Sequence, residues 1–314
     1  DKMGPLLRQH LYSSVRRNRF FWQLFAYLAG VGIVTLLFSL VVVMGVVNTS
    51  YGDETTISML SLFQQGRSFY WFFSVILLLT TMLLVPIGAV GAIAGERENR
   101  TWDLLRTTTL RIRDIVLGKV SATLLTGLLY VMAPLPLLMT SFWLGGVTQT
   151  ELILTFSLLS VTMMLYIARA LFISSLVRKT ITAVVIYYGL NLAAIPLIVA
   201  LAVAITALVN SLTYGSSQFP MQAYWLEVAM QHGWVILIGA NPITTAIATE
   251  ALGLEQGSWV LHTFDVIERI ETGRGPVIGS VTLPSPWITF TLFSLIRIGV
   301  LLWLTTRRLN RKER

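Results

Sequence analysis

Ten charged side chains fall between Gly95 and Lys119, GERENRTWDLLRTTTLRIRDIVLGK, in a chain of which only 12% of residues are charged. Four are acidic (Glu96, Glu98, Asp103, Asp114) and six are basic (Arg97, Arg100, Arg106, Arg111, Arg113, Lys119). The basic residues alone would be explained by the orientation of flanking membrane segments. The interleaved carboxylates, with Trp102, Leu104, Leu105, Leu110, Ile112 and Ile115, would not. A short amphipathic helix that presents Trp102 and Leu105 to another protein needs such side chains, with the aromatic as anchor. Acidic residues at its start suit the positive end of a helix dipole. The chemistry expected here is docking, not catalysis.

Other constellations are missing from the sequence. There is no cysteine, which excludes disulfides, thiolate metal sites and cysteine nucleophiles. His10, His232 and His262 show no metal-ligand spacing such as HExxH. No GxxxxGK[ST] phosphate loop exists; Lys119 follows a glycine, but Val120 stands where Ser or Thr is required. The net charge of +8 comes from residues clustered at the ends of apolar runs, so nucleic acid is not expected as a partner.

The elements that must position these residues are apolar helices. The composition is 55% hydrophobic, and the low charge is about half that usual for soluble domains. Six runs are long enough to cross a bilayer: Phe21–Val47, Ser68–Ala94, Val120–Leu144, Leu152–Val177, Ile181–Val209 and Pro286–Thr306. Their apolar character is continuous, which excludes the alternating strands of a membrane barrel. The fold class expected is an all-α polytopic membrane protein. Basic residues gather before the first span, in the Gly95–Lys119 loop, at Arg178–Lys179 and after the last span, which places both termini and that loop in the cytoplasm.

Within residues 1–20, Met3, Leu7, Leu11 and Val15 recur every four residues, as in a helix lying on the cytoplasmic leaflet. The chain opens at Asp1, as expected of a processed start, and shows no cleavable signal peptide. Residues 21–314 form the permeation domain in this reading, with residues 210–285 outside the cell. Within that segment Gly233–Leu254 is apolar but broken by Gly239 and Asn241–Pro242, which favours two short helices dipping into the membrane. Glu255–Ser285 is polar and carries Gly273, Gly275, Pro276 and Pro284, and is expected to be loop.

Charges inside spans are costly and so informative. Arg169 lies two turns from Arg178 and is expected to snorkel toward the cytoplasm. Arg297 is about 15 Å of helix from Arg307. Its expected partner is a backbone carbonyl, the re-entrant hairpin with Glu250, or an anionic group on a substrate. Tyr187, Tyr188 and Asn191 either line a path or bond between helices. Gly88, Gly91 and Gly95 are expected to permit close helix packing. No carboxylate lies in any span, which weakens a proton-coupled mechanism.

The GERE run, the TWDLLRTTTLR stretch and the DIVLGK entry into the next span resemble the exporter-type, ABC-2-like permease subunit of ATP-binding cassette transporters. Glu96, Arg97, Glu98, Thr101, Asp103, Leu104, Leu105, Leu110, Ile115, Leu117, Gly118 and Lys119 match that pattern. Arg100 stands in place of the usual glycine and Thr109 in place of the usual proline. SSLVRKTITAVVIYYG, from Ser174 to Gly189, resembles the family's tight turn between the fourth and fifth spans, and the Asn241–Pro242 break its re-entrant hairpin.

The resemblance implies that Glu96, Glu98, Thr101, Trp102, Asp103 and Leu105 couple to a separate cytoplasmic ATP-binding subunit. That subunit would hold ATP and Mg, and this chain would bind no cofactor. A second permease chain, identical or related, would complete the path for a lipid-like, drug-like or peptide substrate in the plasma (inner) membrane. Arg297, Tyr187 and Asn191 are the candidate path residues. The rival readings are a structural subunit of a larger membrane complex, a secondary transporter or a membrane enzyme.

Overall fold

The computed structural model describes residues 18–50, 59–102, 104, 111–143, 145–214, 232–268 and 277–311. Helices dominate them. Among the described residues five segments are long and apolar enough to cross a membrane: Phe21–Val41, Phe63–Glu98, Ile112–Met132, Gln149–Leu176 and Pro286–Asn310. Contacts divide the chain into two units, Asp1–Val184 with Val300–Arg314, and Val185–Gly299.

In the first unit, α1 runs Asn18–Ser50 and α2 runs Met59–Leu83. Residues 18–20, expected in the interfacial helix, already belong to α1; the rest of that expected helix lies outside the described residues. The second span is not one helix. Pro86 has no N–H to donate, and α2 gives way to two short helices, α3 (Ile87–Gly91) and α4 (Ala94–Glu98). α5 (Ile112–Met132) starts eight residues before the expected span and breaks at Ala133–Pro134, where α6 (Leu135–Trp143) begins. The stretch expected as a 95–119 loop is therefore helical at both ends, Gly95–Glu98 and Ile112–Lys119.

α7 (Gln149–Leu176) is the central helix of this unit. Ala89, Val90, Ile93 and Ala94 face it fully buried, as do Ile167, Ala170 and Leu171 on its own surface. Inside a bilayer such contact is driven by van der Waals fit more than by water exclusion. Gly127 on α5 is closely confined against its neighbours. A Cβ there would lie 2.6 Å from Val85 and 2.9 Å from the Met163 sulfur. Gly88, Gly91 and Gly95 are not so confined: a Cβ at each would meet ordinary contacts of 3.4–3.9 Å. Within the chain, Gly127 is held more closely than any of the expected trio. α1, by contrast, exposes Phe21, Trp22, Phe25, Leu36, Leu37 and Val41, a surface suited to lipid.

α8 (Thr180–Tyr214) contains the expected fifth span and carries Pro196 in its interior. In the second unit a helix at 232–238, α9, ends at Gly239, and α10 (Pro242–Gln256) follows. Asn241 caps α10 by accepting the Ile243 N–H at 2.9 Å, and Pro242 fills the first helical position, where a missing N–H costs nothing. Thr245 ties the turn by donating to the carbonyls of Ile238 and Asn241, at 3.0 and 2.7 Å.

The segment expected to be loop is a β-hairpin. β1 (Leu261–Glu268) pairs antiparallel with β2 (Val277–Pro284), in register from Leu261↔Pro284 to Glu268↔Val277. Val266, Ile267, Val277, Ile278, Val281 and Thr282 supply the β-branched content that polar composition had obscured. His262 is buried, and its Nε2 lies 3.2 Å from the Ser285 hydroxyl. α11 (Pro286–Arg311) follows directly.

Candidate functional site

The GERE residues are staples within the chain. Glu96 Oε1 accepts from Lys119 Nζ at 2.6 Å, and the same ammonium donates to the Ala92 carbonyl, also at 2.6 Å. One cation thus holds the end of α3 and the start of α4 against α5. Arg97 Nη1 donates to the Ser175 carbonyl at 2.7 Å and to Val177 at 3.4 Å, the unsatisfied C-terminal acceptors of α7. Glu98 Oε2 accepts the Thr180 N–H at 2.9 Å, satisfying an orphan donor in the first turn of α8. Three successive side chains of α4 therefore reach three different helices.

Ser174 completes the junction. Its hydroxyl accepts the N–H groups of Ile93 and Ala94, at 3.1 and 2.9 Å, where the break before α4 leaves donors without helical partners. Sequence reasoning recognised Ser174 only as part of a tight turn and gave Lys119 and Thr180 no role. The available signal was a Ser174–Ser175 pair at the end of an otherwise apolar span.

α4 ends in a Schellman turn: the Thr101 N–H donates to the Glu96 carbonyl at 2.9 Å, and the Arg100 N–H to Arg97 at 3.3 Å. The residue at the left-handed position is Arg100, with φ of 58°. Glycine is the usual occupant of such a position, and glycine is what the family resemblance expects there.

Trp102 departs from its expected role. It is 8% exposed, with the Arg97 guanidinium 5.6 Å from its ring centre, so it braces the chain and is not presented to a partner. The apolar side chain that does face outward is Leu104, at 69% exposure. Thr101 donates from its hydroxyl to the Glu96 carbonyl at 3.2 Å. Asp103 and Leu105 lie outside the described residues.

At the opposite end of the unit Glu151 is buried and uses both carboxylate oxygens. Oε2 accepts the Thr148 N–H at 2.8 Å, within a capping box at the start of α7, and Oε1 pairs with Arg67 at 3.3 Å. Its carbonyl accepts from Tyr70 at 3.4 Å.

The candidate path residues lie in the second unit. Tyr187 is fully buried and Asn191 nearly so, with Asn191 Nδ2 donating to the Tyr187 carbonyl at 2.8 Å; neither presents an open surface. Tyr188 stands edge-on to Tyr187 at 5.0 Å. Arg297 Nη1 reaches the Ala240 carbonyl at 3.4 Å, in the turn between α9 and α10, while Nη2 donates to Ser294 at 3.0 Å. Of the partners expected for it, the carbonyl of that turn is within its reach. In the first unit, Arg169 lies with its guanidinium 5.2 Å from the Tyr166 ring centre, one turn toward the start of α7 and away from the Arg178 end.

Residues 46–227, more than half of the chain, match the profile described as ABC-2 family transporter protein. No curated protein matches it. The matched span covers the broken second segment, the staples at Glu96–Glu98 and the turn into α8. Membership in that family implies association with an ABC ATP-binding subunit and a transport role that is not itself catalytic. With its apolar helices and this match, the chain belongs to the ABC-2 family of transporter proteins, as a multi-pass membrane permease subunit.

Proposed function

We propose that this permease is the six-span half of an ATP-driven exporter, with α8 supplying the sixth span beside the five segments above. Residues 210–285 are extracytoplasmic, with α9 and α10 as a re-entrant hairpin, and both termini lie in the cytoplasm of the inner membrane. A separate subunit binds ATP and Mg, two permease chains pair, and the cargo is lipid-like, drug-like or peptidic. Arg297 faces an anionic group on that cargo or holds the hairpin by its Ala240 carbonyl.

The observation that carries this reading is the three-way staple of α4. Force applied to the stretch after Glu98 is shared at once by α5, α7 and α8 through Lys119, Ser175 and Thr180. Rocking of spans as packed bodies requires such a junction. Leu104 is the outward handle, and Trp102 transmits to Arg97 from inside. Asp103 and Leu105 belong to the same docking stretch.

Leu104→Asp in the full chain is expected to abolish co-purification of the ATP-binding subunit while membrane insertion persists. A carboxylate placed where a partner buries an apolar side chain is left unpaired and desolvated, at a cost on the order of 2–5 kcal/mol. Undiminished co-purification would refute the docking stretch. The chain lacks cysteine, so topology is read directly: Glu255→Cys should react with an impermeant thiol reagent in intact cells, and Arg113→Cys should not. The reverse pattern would invert the orientation.

A further inference from the structure

Among the described residues, the end of the first unit that carries the staples gathers more cations than carboxylates. Glu96 is committed to Lys119, and Glu98 lies within electrostatic reach of Lys179. Arg97, Arg178 and Arg308 remain, with Arg178 and Arg308 both close enough to act on the Arg97 guanidinium by charge. Like charges gathered in this way raise each other's energy unless an anion joins them. Among the described residues no carboxylate pairs with Arg178 or Arg308. The Arg308 Nε is buried and has no hydrogen-bond partner, an orphan donor.

Two further features say what kind of anion would suit this cluster. Arg178 is followed one turn later by Ile181, which is 75% exposed. Arg308 is preceded by Trp303, 54% exposed, over which Arg307 stacks at 4.8 Å. Each arginine thus stands where an exposed apolar helix surface stops, and an exposed tryptophan marks headgroup depth. A soluble anion would have no use for the apolar margins. An acidic protein surface would meet hydrocarbon-facing side chains where a polar rim is expected. A phosphate ester carrying acyl chains meets both requirements. Guanidinium forks match its oxygens, and its chains continue along the exposed apolar faces.

We propose that Arg178 and Arg308, backed by Arg97, hold the phosphate of an anionic membrane lipid whose acyl chains lie along the surfaces beginning at Ile181 and Trp303. The site is independent of what the permease transports. It fastens the α7–α8 turn and the end of α11 to the same lipid molecule.

The test uses the full chain in nanodiscs of phosphatidylcholine doped with phosphatidylglycerol, with retained lipid counted by native mass spectrometry after release into detergent. Wild type should retain phosphatidylglycerol in preference to phosphatidylcholine. Arg178→Gln with Arg308→Gln should weaken that retention roughly twenty- to thirty-fold, at about fivefold per cation near the surface. The paired lysine variant should keep the charge attraction and lose the fork, giving an intermediate value. Should the glutamine pair fail to fold, the lysine pair alone decides: full wild-type selectivity would overturn the fork geometry.

Arg111→Gln with Arg113→Gln is the control for diffuse charge, and an equal loss there would overturn the site. So would unchanged retention in the Arg178/Arg308 variant. Displacement of the lipid by inorganic phosphate at equal concentration would assign the cluster to a free anion and refute the lipid. Loss of the ATP-binding subunit with unchanged lipid retention would assign it to that partner. The Leu104→Asp result is unaffected by any of these outcomes, so the two readings fail separately.

Discussion

The two ends of α7 are tied to their surroundings in different ways. At the Glu151 end a single buried carboxylate caps the helix, pairs with Arg67 and leaves neither oxygen idle. At the Ser175 end the ties are spread over Glu96, Arg97, Glu98, Lys119 and Ser174, and Glu96 keeps a buried Oε2 without a partner. The two clusters stand about 36 Å apart along the helix, more than the hydrocarbon thickness and within the headgroup span. In the proposed six-span arrangement each would lie at one membrane surface. At the Glu151 end both carboxylate oxygens are in use, whereas the other end holds, among the described residues, a surplus of cations, a left-handed arginine and an exposed Leu104. Polar groups left incompletely satisfied are tolerated where a second arrangement must be accessible. If α4 transmits movement as proposed above, the Glu151 end is expected to hold and the Ser175 end to move.

The comparison breaks most easily at Glu151. Glu151→Ala removes the capping box and the ion pair together. A loss of roughly 2 kcal/mol of unfolding free energy is expected, about half from the cap and half from a bridge whose Arg67 side is partly exposed. Any ATP hydrolysis by the assembled complex should be unchanged per folded molecule. A large fall in specific activity, with little change in unfolding, would exchange the roles of the two ends.

At the other end the expected pattern is reversed. Glu98→Gln weakens an exposed tie to Thr180 and should leave thermal unfolding nearly unchanged. Substrate-stimulated ATP hydrolysis should fall, because α8 is no longer pulled with α4. Association of the ATP-binding subunit should persist, which separates this effect from that of Leu104→Asp. Normal stimulation in Glu98→Gln would show that α8 takes no share of the movement.

His262 tests whether burial without charge behaves like the Glu151 end. Burial holds its imidazole below the usual value of 6.5. Nε2 faces Ser285, while Nδ1 is buried and unpartnered, so protonation would leave a charge with one donor unused. As pH falls below 6.5 the unfolded chain takes up the proton before the folded one, and stability declines until the lowered folded value is reached. Unfolding midpoints in detergent at pH 7.5 and 5.5 should differ more for wild type than for His262→Gln. Equal differences would mean that the histidine contributes nothing to that pH dependence.

Much of this architecture was legible because bilayer length and charge asymmetry are linear properties of the sequence. α1, α8 and α11 enclose their expected spans for that reason, and α7 stops one residue short of the end of its own. The breaks around Pro86 and Pro134 were marked by proline, yet unbroken hydropathy masked them. The hairpin was missed because Gly273, Gly275 and Pro276, which fall between its strands, dominated the composition. In the candidate site the motif was visible but its direction was not. Periodicity places Trp102 on a face without saying whether that face looks outward, and the structure turns it onto Arg97. The partners of Arg97 and Glu98 come from about 80 residues away, and nothing in the local pattern names them.

The smallest expected effect concerns Arg100. Its φ of 58° is a conformation in which a Cβ crowds the following carbonyl, at a cost of about 1 kcal/mol relative to glycine. The Schellman bonds from Thr101 to Glu96 and from Arg100 to Arg97 fix that conformation, so the strain cannot relax without unwinding α4. Arg100→Gly should relieve it, offset in part by the greater freedom of glycine in the unfolded chain, for a net gain of about 0.5 kcal/mol. If the strain is stored so that the Ser175 end can leave its resting arrangement, the stabilised variant should also show slower stimulated ATP hydrolysis. Greater stability with unchanged turnover would mean that the arginine is only a tolerated substitute at a glycine position. Lower stability would mean that the Arg100 side chain contributes more than its backbone costs.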